Sequence, residues 1–115
     1  MKVVDNKIDK NTQDLTKKGL NFKGDSGEAI HKDLGQTLDV VGGISDKAKL
    51  SDNNIGVVSD GTGTLNVKLA KTLTGLESVT AGGTTINNGG LTVGGKNYVS
   101  PTGLNANNQK ITNVA

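Results

Sequence analysis

Through the first 18 residues of the chain, Met1, Val4, Ile8 and Leu15 follow alternating spacings of 3 and 4, with Asn11 at the remaining step. This is an a-d-a-d-a heptad pattern with charged side chains between the apolar positions. The spacing predicts a helix over 2–18, ended by Gly19, since a glycine commonly follows a helix's last turn. Two heptads alone are marginal in water, so the helix reads as the end of a longer coiled coil. Beyond Gly19 the texture changes. A short helix is predicted around 28–34, a strand over 37–41 that stops at Gly42-Gly43, and a polar surface loop over 45–54. Residues 55–58 and 64–69 predict a hairpin whose second strand alternates Leu65, Val67 and Leu69 on one face; together with Val57 these would supply the sheet core. Asp60-Gly61 supplies turn chemistry that allows positive φ. Residues 82–95 predict two strands of four or five residues around Asn87-Asn88-Gly89-Gly90, because Asn and Gly tolerate left-handed turns. The stretch 98–115 is Asn-rich and broken by Pro101. Its isolated Leu104, Ile111 and Val114 suit an extended connector that inserts one side chain per step along an oligomer.

Composition sharpens the oligomer. Val, Ile, Leu and Phe number 29 of 115 residues, above the range in which disorder is the default. Only Phe22 and Tyr98 are aromatic, yet aromatic rings supply the largest buried areas. A chain this short buries a modest fraction of its surface, and no cysteine staples it. Burying its apolar faces against other chains is the simplest remedy. The net charge of +2, carried by scattered Lys without Arg, argues against a polyanion partner, and two aromatics make no stacking platform for nucleic acid. Absence of Cys fits a cytosolic protein and an exported bacterial one equally. No apolar run approaches the roughly 18 residues that span a bilayer, and no signal peptide opens the chain, so a secreted protein would contain it as an internal fragment.

Candidate chemistry is sparse. His31 is the single histidine, which excludes a metal site built on His pairs or Cys; it reads as a surface or helix-face residue rather than a triad member. Gly61 and Gly63 form a GxG, but Asn66 replaces the third glycine and a strand follows instead of a helix, so no dinucleotide fingerprint results. Asp46, Asp52, Asn53 and Asn54 could cluster around Ca²⁺, but the 12-residue loop closed by Glu is missing, and turn polarity explains them. No catalytic residue and no metal site is assigned; a glycan-active enzyme using an acid such as Glu77 finds no aromatic platform or carboxylate motif. Asn11 stands apart. It could face solvent, but Val4, Ile8 and Leu15 pin the frame. A polar residue at d costs stability and fixes register and oligomer state. In a parallel trimer three amides would meet on the axis, their NH₂ donors turned towards an anion.

Ile8-x-x-Asn11-Thr12 resembles the IxxNTxx coiled-coil repeat of trimeric autotransporter adhesins of Gram-negative bacteria. "FKGDSGEAIHKDLGQTLDVVGG" followed by "NIGVVSDGTGTLNVKLAKTLTGLESVT" is similar to that family's Trp-ring head, "GGTTINNGGLTV" to its GIN-type head, and "GLNANNQKITNVA" to the opening of its neck. The chain has no Trp, so the ring that names the first head is missing. It stops before the DAVN-like segment that completes a neck, which marks it as a piece of a longer protein.

The resemblance implies a mainly β fold with an N-terminal α-helical coiled coil, assembled as a parallel homotrimer with an interleaved, prism-like head. It implies a coiled-coil stalk over 1–18, a Trp-ring-like head over 19–80, a GIN-like β domain over 81–98 and the start of a neck over 99–115. Val4, Ile8 and Leu15 would pack the coiled coil, and Asn11 would bind an axial chloride, with no other cofactor. The chain would be a non-enzymatic, cell-surface passenger segment of an outer-membrane virulence adhesin, attaching to host matrix or a cell receptor or spacing another segment that does. Its receptor-binding residues are unknown, and neither nucleic acid nor membrane contact is implied. The alternative is a segment of a trimeric phage tail fibre or spike, which lacks the combination of IxxNTxx with "LNVKLAK".

Overall fold

The computed structural model describes residues 2–115, so Met1 of the predicted stripe lies outside them. The chain divides into two units, Met1–Ser45 and Asp46–Ala115.

The first unit opens with helix α1, Lys2–Lys18. No Gly or Pro interrupts it, and Asp5 in its first turn with Lys17 and Lys18 in its last complement the helix dipole. Gly19 ends it at φ 45°, its N–H donating to Leu15 O at 3.4 Å. A Cβ at Gly19 would overlap the Lys32 carbonyl, so glycine is required by closeness as well as by φ. An antiparallel pair follows, β1 (Leu20–Phe22) and β2 (Ile30–Lys32), with Asn21 opposite His31.

Two expectations fail here. Residues 28–34 form no helix, because Ile30 to Lys32 pair with Leu20 to Phe22 and the ladder takes the backbone groups a helix would use. Residues 37–41 form no strand: among the described residues no segment pairs with them, and Val40 is 89% exposed.

The second unit starts with a 3-10 turn, Lys47–Lys49, capped by Asp46, whose side chain accepts from Ala48 N at 3.0 Å. Strands β3 (Ile55–Ser59) and β4 (Leu65–Leu69) pair antiparallel, Val57 opposite Val67, within a residue of expectation. Strands β5 (Ser78–Ala81), β6 (Thr84–Asn87), β7 (Gly90–Val93), β8 (Lys96–Ser100) and β9 (Gly103–Leu104) form an antiparallel meander in chain order. The β6–β7 turn is the expected Asn-Asn-Gly-Gly one. Its left-handed glycine is Gly90, φ 104°, packed so closely under the Val99 carbonyl that a Cβ would collide; Gly89 is not left-handed, and its N–H donates to Asn87 Oδ1 at 2.8 Å. The predicted connector from residue 98 instead begins with β8 and β9. Pro101 lies in the turn between them, where its missing N–H breaks no ladder.

Among the described residues no apolar side chain is buried; Asn54, 5% exposed, is the one buried polar residue. Of the Val, Ile, Leu and Phe side chains among the described residues, only Phe22, Leu38 and Leu91 are partly buried, and the rest are exposed. Val57, Leu65, Val67 and Leu69 line one face of the hairpin as expected, but all four are exposed.

Candidate functional site

At 100° per residue, Val4, Ile8, Asn11 and Leu15 fall within an arc of about 60° on α1. Asn11 therefore belongs to the arc of the apolar stripe, at its edge beside Lys18. All four residues are exposed in the single chain. The stripe is a surface without a partner, interrupted by one amide.

The end of α1 is held by the β1–β2 pair. Leu34 N donates to Thr16 O at 2.9 Å. His31 Nε2 donates to Lys17 O at 2.8 Å and lies 3.0 Å from Asp33 Oδ1, while its Nδ1 faces the Asn21 amide at 2.7 Å. The last-turn carbonyls, which a free helix end leaves to water, thus have fixed donors. His31 is a surface residue, one of the two readings the sequence offered; it stands on a strand rather than a helix face, and its ring serves as a helix cap. The His31–Asp33 pair is solvent-exposed, so its electrostatic worth is small.

Three side chains of the polar set 45–54, those of Asp46, Ser51 and Asn54, are engaged in structure. Asp46 caps the 3-10 turn. Asn54 donates from Nδ2 to Ser51 Oγ at 3.0 Å and Thr74 O at 2.9 Å, and accepts from Thr74 N at 3.0 Å. Its backbone carbonyl accepts from Ala70 N at 2.8 Å. One buried amide so pins the 70–74 segment to the start of β3, and nothing in the sequence distinguishes it from Asn53. Among the described residues no group of three His, Cys, Asp or Glu could hold a metal ion.

The GxG stretch is an Asx-type turn. Asp60 Oδ1 accepts from the N–H of Thr62, Gly63 and Thr64 at 2.8, 2.9 and 3.1 Å and from Thr62 Oγ1 at 3.0 Å. These bonds, those from the Gly63 and Thr62 N–H foremost, hold the Asp60 carboxyl well below the usual carboxylate range. Gly61 takes φ 80° within it. A carboxylate surrounded by donors binds its own loop, not a phosphate.

The five-stranded sheet has two unlike faces. Directly paired residues share a face, so Val79, Ile86, Leu91, Val99 and Leu104 make one aliphatic row across all five strands. The opposite face carries Thr80, Thr85, Thr92 and Asn97. Thr80 and Thr85 hydroxyls meet at 3.2 Å. Asn97, next to the irregularity in β7–β8 pairing, donates to Gly89 O at 3.1 Å and Val99 O at 3.0 Å, and Asn107 Nδ2 donates to Asn97 O at 2.9 Å. The aliphatic row is open: Ile86 is 57% and Leu104 84% exposed. The register that aligns these faces across five strands was not legible in the sequence.

No protein-family model matches the chain. It is 40% identical over 106 residues to the trimeric autotransporter adhesin AtaA of Acinetobacter sp. strain Tol 5, an alignment covering 84% of this chain and 3% of that protein. The chain thus spans a small fraction of the relative's length. Its fold is similar to that of N-terminal domain 1 of VompD from Bartonella quintana, with a TM-score of 0.52 at 23% identity, covering 84% of this chain and 83% of that one.

Proposed function

The chain belongs to the trimeric autotransporter adhesins, and we propose that it is a non-catalytic segment that assembles with two further copies to form part of a bacterial surface adhesin. The observation that carries this is the absence of any buried apolar side chain among the described residues. Chains with a pattern this regular and a core this empty complete their cores between copies, and such obligate oligomers often have no stable folded monomer. The adhesin relative supports this function over the tail-fibre alternative.

In the assembly the α1 stripe forms a parallel coiled coil, with Val4, Ile8 and Leu15 packed and the three Asn11 amides meeting on the axis around a chloride. The position of Asn11 within the arc of the stripe fits such a layer, since a buried amide needs a partner. Residues 1–18 then act as stalk, 19–80 as a Trp-ring-like head without its ring, 81–98 as a GIN-like domain and 99–115 as the start of a neck. The assembled segment stands on the bacterial surface as passenger of an outer-membrane protein, and it attaches to host matrix or receptor or spaces another segment that does.

Light scattering on the purified chain, and on the chain fused in frame to a trimeric coiled coil, tests this. Three-chain mass, at least in the fused form, is the expected result. A folded, cooperative monomer in both samples overturns it.

A further inference from the structure

We propose that Asn88, at the tip of the β6–β7 hairpin, is a site of spontaneous deamidation, and that the side chain of Asn87 sets its rate. Asn88 is the one asparagine followed by glycine. Every other asparagine precedes a residue whose side chain hinders the approach of the next backbone nitrogen to the amide carbon; glycine has no Cβ to do so. Asn88 and Gly89 connect the paired residues Asn87 and Gly90, and both are exposed to the water the reaction needs. The Gly89 nitrogen gives up its proton and bonds to Asn88 Cγ, the Cγ–Nδ2 bond breaks, and ammonia leaves carrying that proton. Water then opens the cyclic imide at either carbonyl, leaving aspartate or isoaspartate, and no oxidant or reductant enters. The reaction needs no second copy of the chain and so is independent of the assembly proposed above.

The brake acts on the nucleophile. Gly89 N–H donates to Asn87 Oδ1 at 2.8 Å, an Asx turn that holds the proton the reaction must remove. The chain's one Asp-Gly pair, the other dipeptide prone to imide formation, is built alike: Gly61 N–H donates to Ser59 Oγ at 3.0 Å. In both turns the residue just before the reactive side chain ties up the glycine nitrogen. Asp60 is restrained in a second way. Its Oδ1 accepts from the N–H of Thr62, Gly63 and Thr64, which favours the ionised carboxylate, whereas imide formation needs the protonated acid, whose hydroxyl can leave as water. Asn88 is an uncharged amide and has no such second restraint, so it is the more reactive of the two. Isoaspartate at 88 adds a backbone carbon to the turn and a negative charge to its tip. The next residue on, Gly90, already lies against the Val99 carbonyl, so conversion disturbs the β6–β7–β8 packing.

Incubation of the purified chain at mildly alkaline pH in heavy-oxygen water, followed by peptide mass spectrometry, tests both parts. In the wild type Asn88 is expected to convert and take up the label before any other asparagine. Asn87→Ala, which removes the acceptor, should convert Asn88 about fivefold faster, the factor that one net hydrogen bond is worth. Asn87→Asp, which keeps an acceptor oxygen, should stay at or below the wild-type rate. Amide hydrogen exchange across β6 and β7 in the same samples reports whether the hairpin itself has opened. A wild type in which another asparagine converts first overturns the site. Asn87→Ala at the wild-type rate overturns the brake, and so does an acceleration matched by an equal rise in hydrogen exchange of the two strands.

Discussion

Asn11 and Asn54 are the same side chain put to opposite uses. Asn54 is buried within one chain and every amide atom has a partner. Truncating it leaves the Thr74 N–H and carbonyl unpaired, each costing about 1–3 kcal/mol. Asn54→Ala should therefore lower the midpoint of chemical unfolding and free the 70–74 segment to proteolysis. Asn11 is exposed in the single chain and becomes buried only if copies assemble. Asn11→Ile should then raise the melting temperature, since it replaces a polar axial layer by an aliphatic one, and remove anion density from the axis in a crystal structure. Density that survives the substitution would defeat the amide's proposed role. Asp60 shows a third use, a charge held by its own loop. Its folded carboxyl titrates below the ordinary value of 3.8, so its contribution is present above that value and fades as the pH falls below it. Asp60→Asn should consequently lower the melting temperature at neutral pH and flatten the acid limb of the stability profile, as followed by melting temperature against pH.

At the scale of elements, the strongly periodic segments were legible and the weakly periodic ones were not. The helix over Lys2–Lys18 matches its expected bounds because heptad spacing, absence of breakers and a terminal glycine all agree. The β3–β4 and β6–β7 pairs were readable from their Asp-Gly and Asn-Gly turn residues, and β4 also from its alternation of Leu65, Val67 and Leu69. The segment 28–34 has helix-compatible composition, but Leu20 to Phe22 offered a ladder and tertiary pairing overrode propensity. The strand expected at 37–41 needed a neighbour that none of the described residues supplies. Strands β8 and β9 hid behind Pro101, which ends one strand and turns into the next. Gly90 is the element-scale weak point. Gly90→Ala would require both φ 104° and a Cβ inside the Val99 carbonyl. It should cost several kcal/mol, more than the roughly 1 kcal/mol typical of a point mutation, and shift the β6–β7–β8 register, visible as altered amide hydrogen exchange in all three strands.

For the whole molecule, the decisive property is that apolar side chains are ordered into faces without being buried. The helix stripe, the β3–β4 face and the five-strand row each lie on one side of a regular element, and each is open. Folding of the isolated chain would thus gain little from apolar burial, the main favourable contribution to stability. Unfolding of the assembled protein is expected to depend on protein concentration, with melting temperature rising on concentration as association mass action requires. A melting temperature that stays constant over a wide concentration range would show that the single chain holds itself together.

The chain's own sequence determined the period of each element, the turn residues, the shortage of aromatic and staple residues, and through them the expectation of a mainly β protein with an N-terminal helix that completes its core elsewhere. These properties are local or compositional, so neighbouring residues suffice to establish them. Only the tertiary structure decided that Ile30 to Lys32 are strand, that His31 caps α1, that Asn54 rather than Asn53 is buried, and that five separate aliphatic residues line up while four polar ones face away. Each depends on pairing between residues distant in sequence, and a shift of one residue in register would have exchanged the two faces.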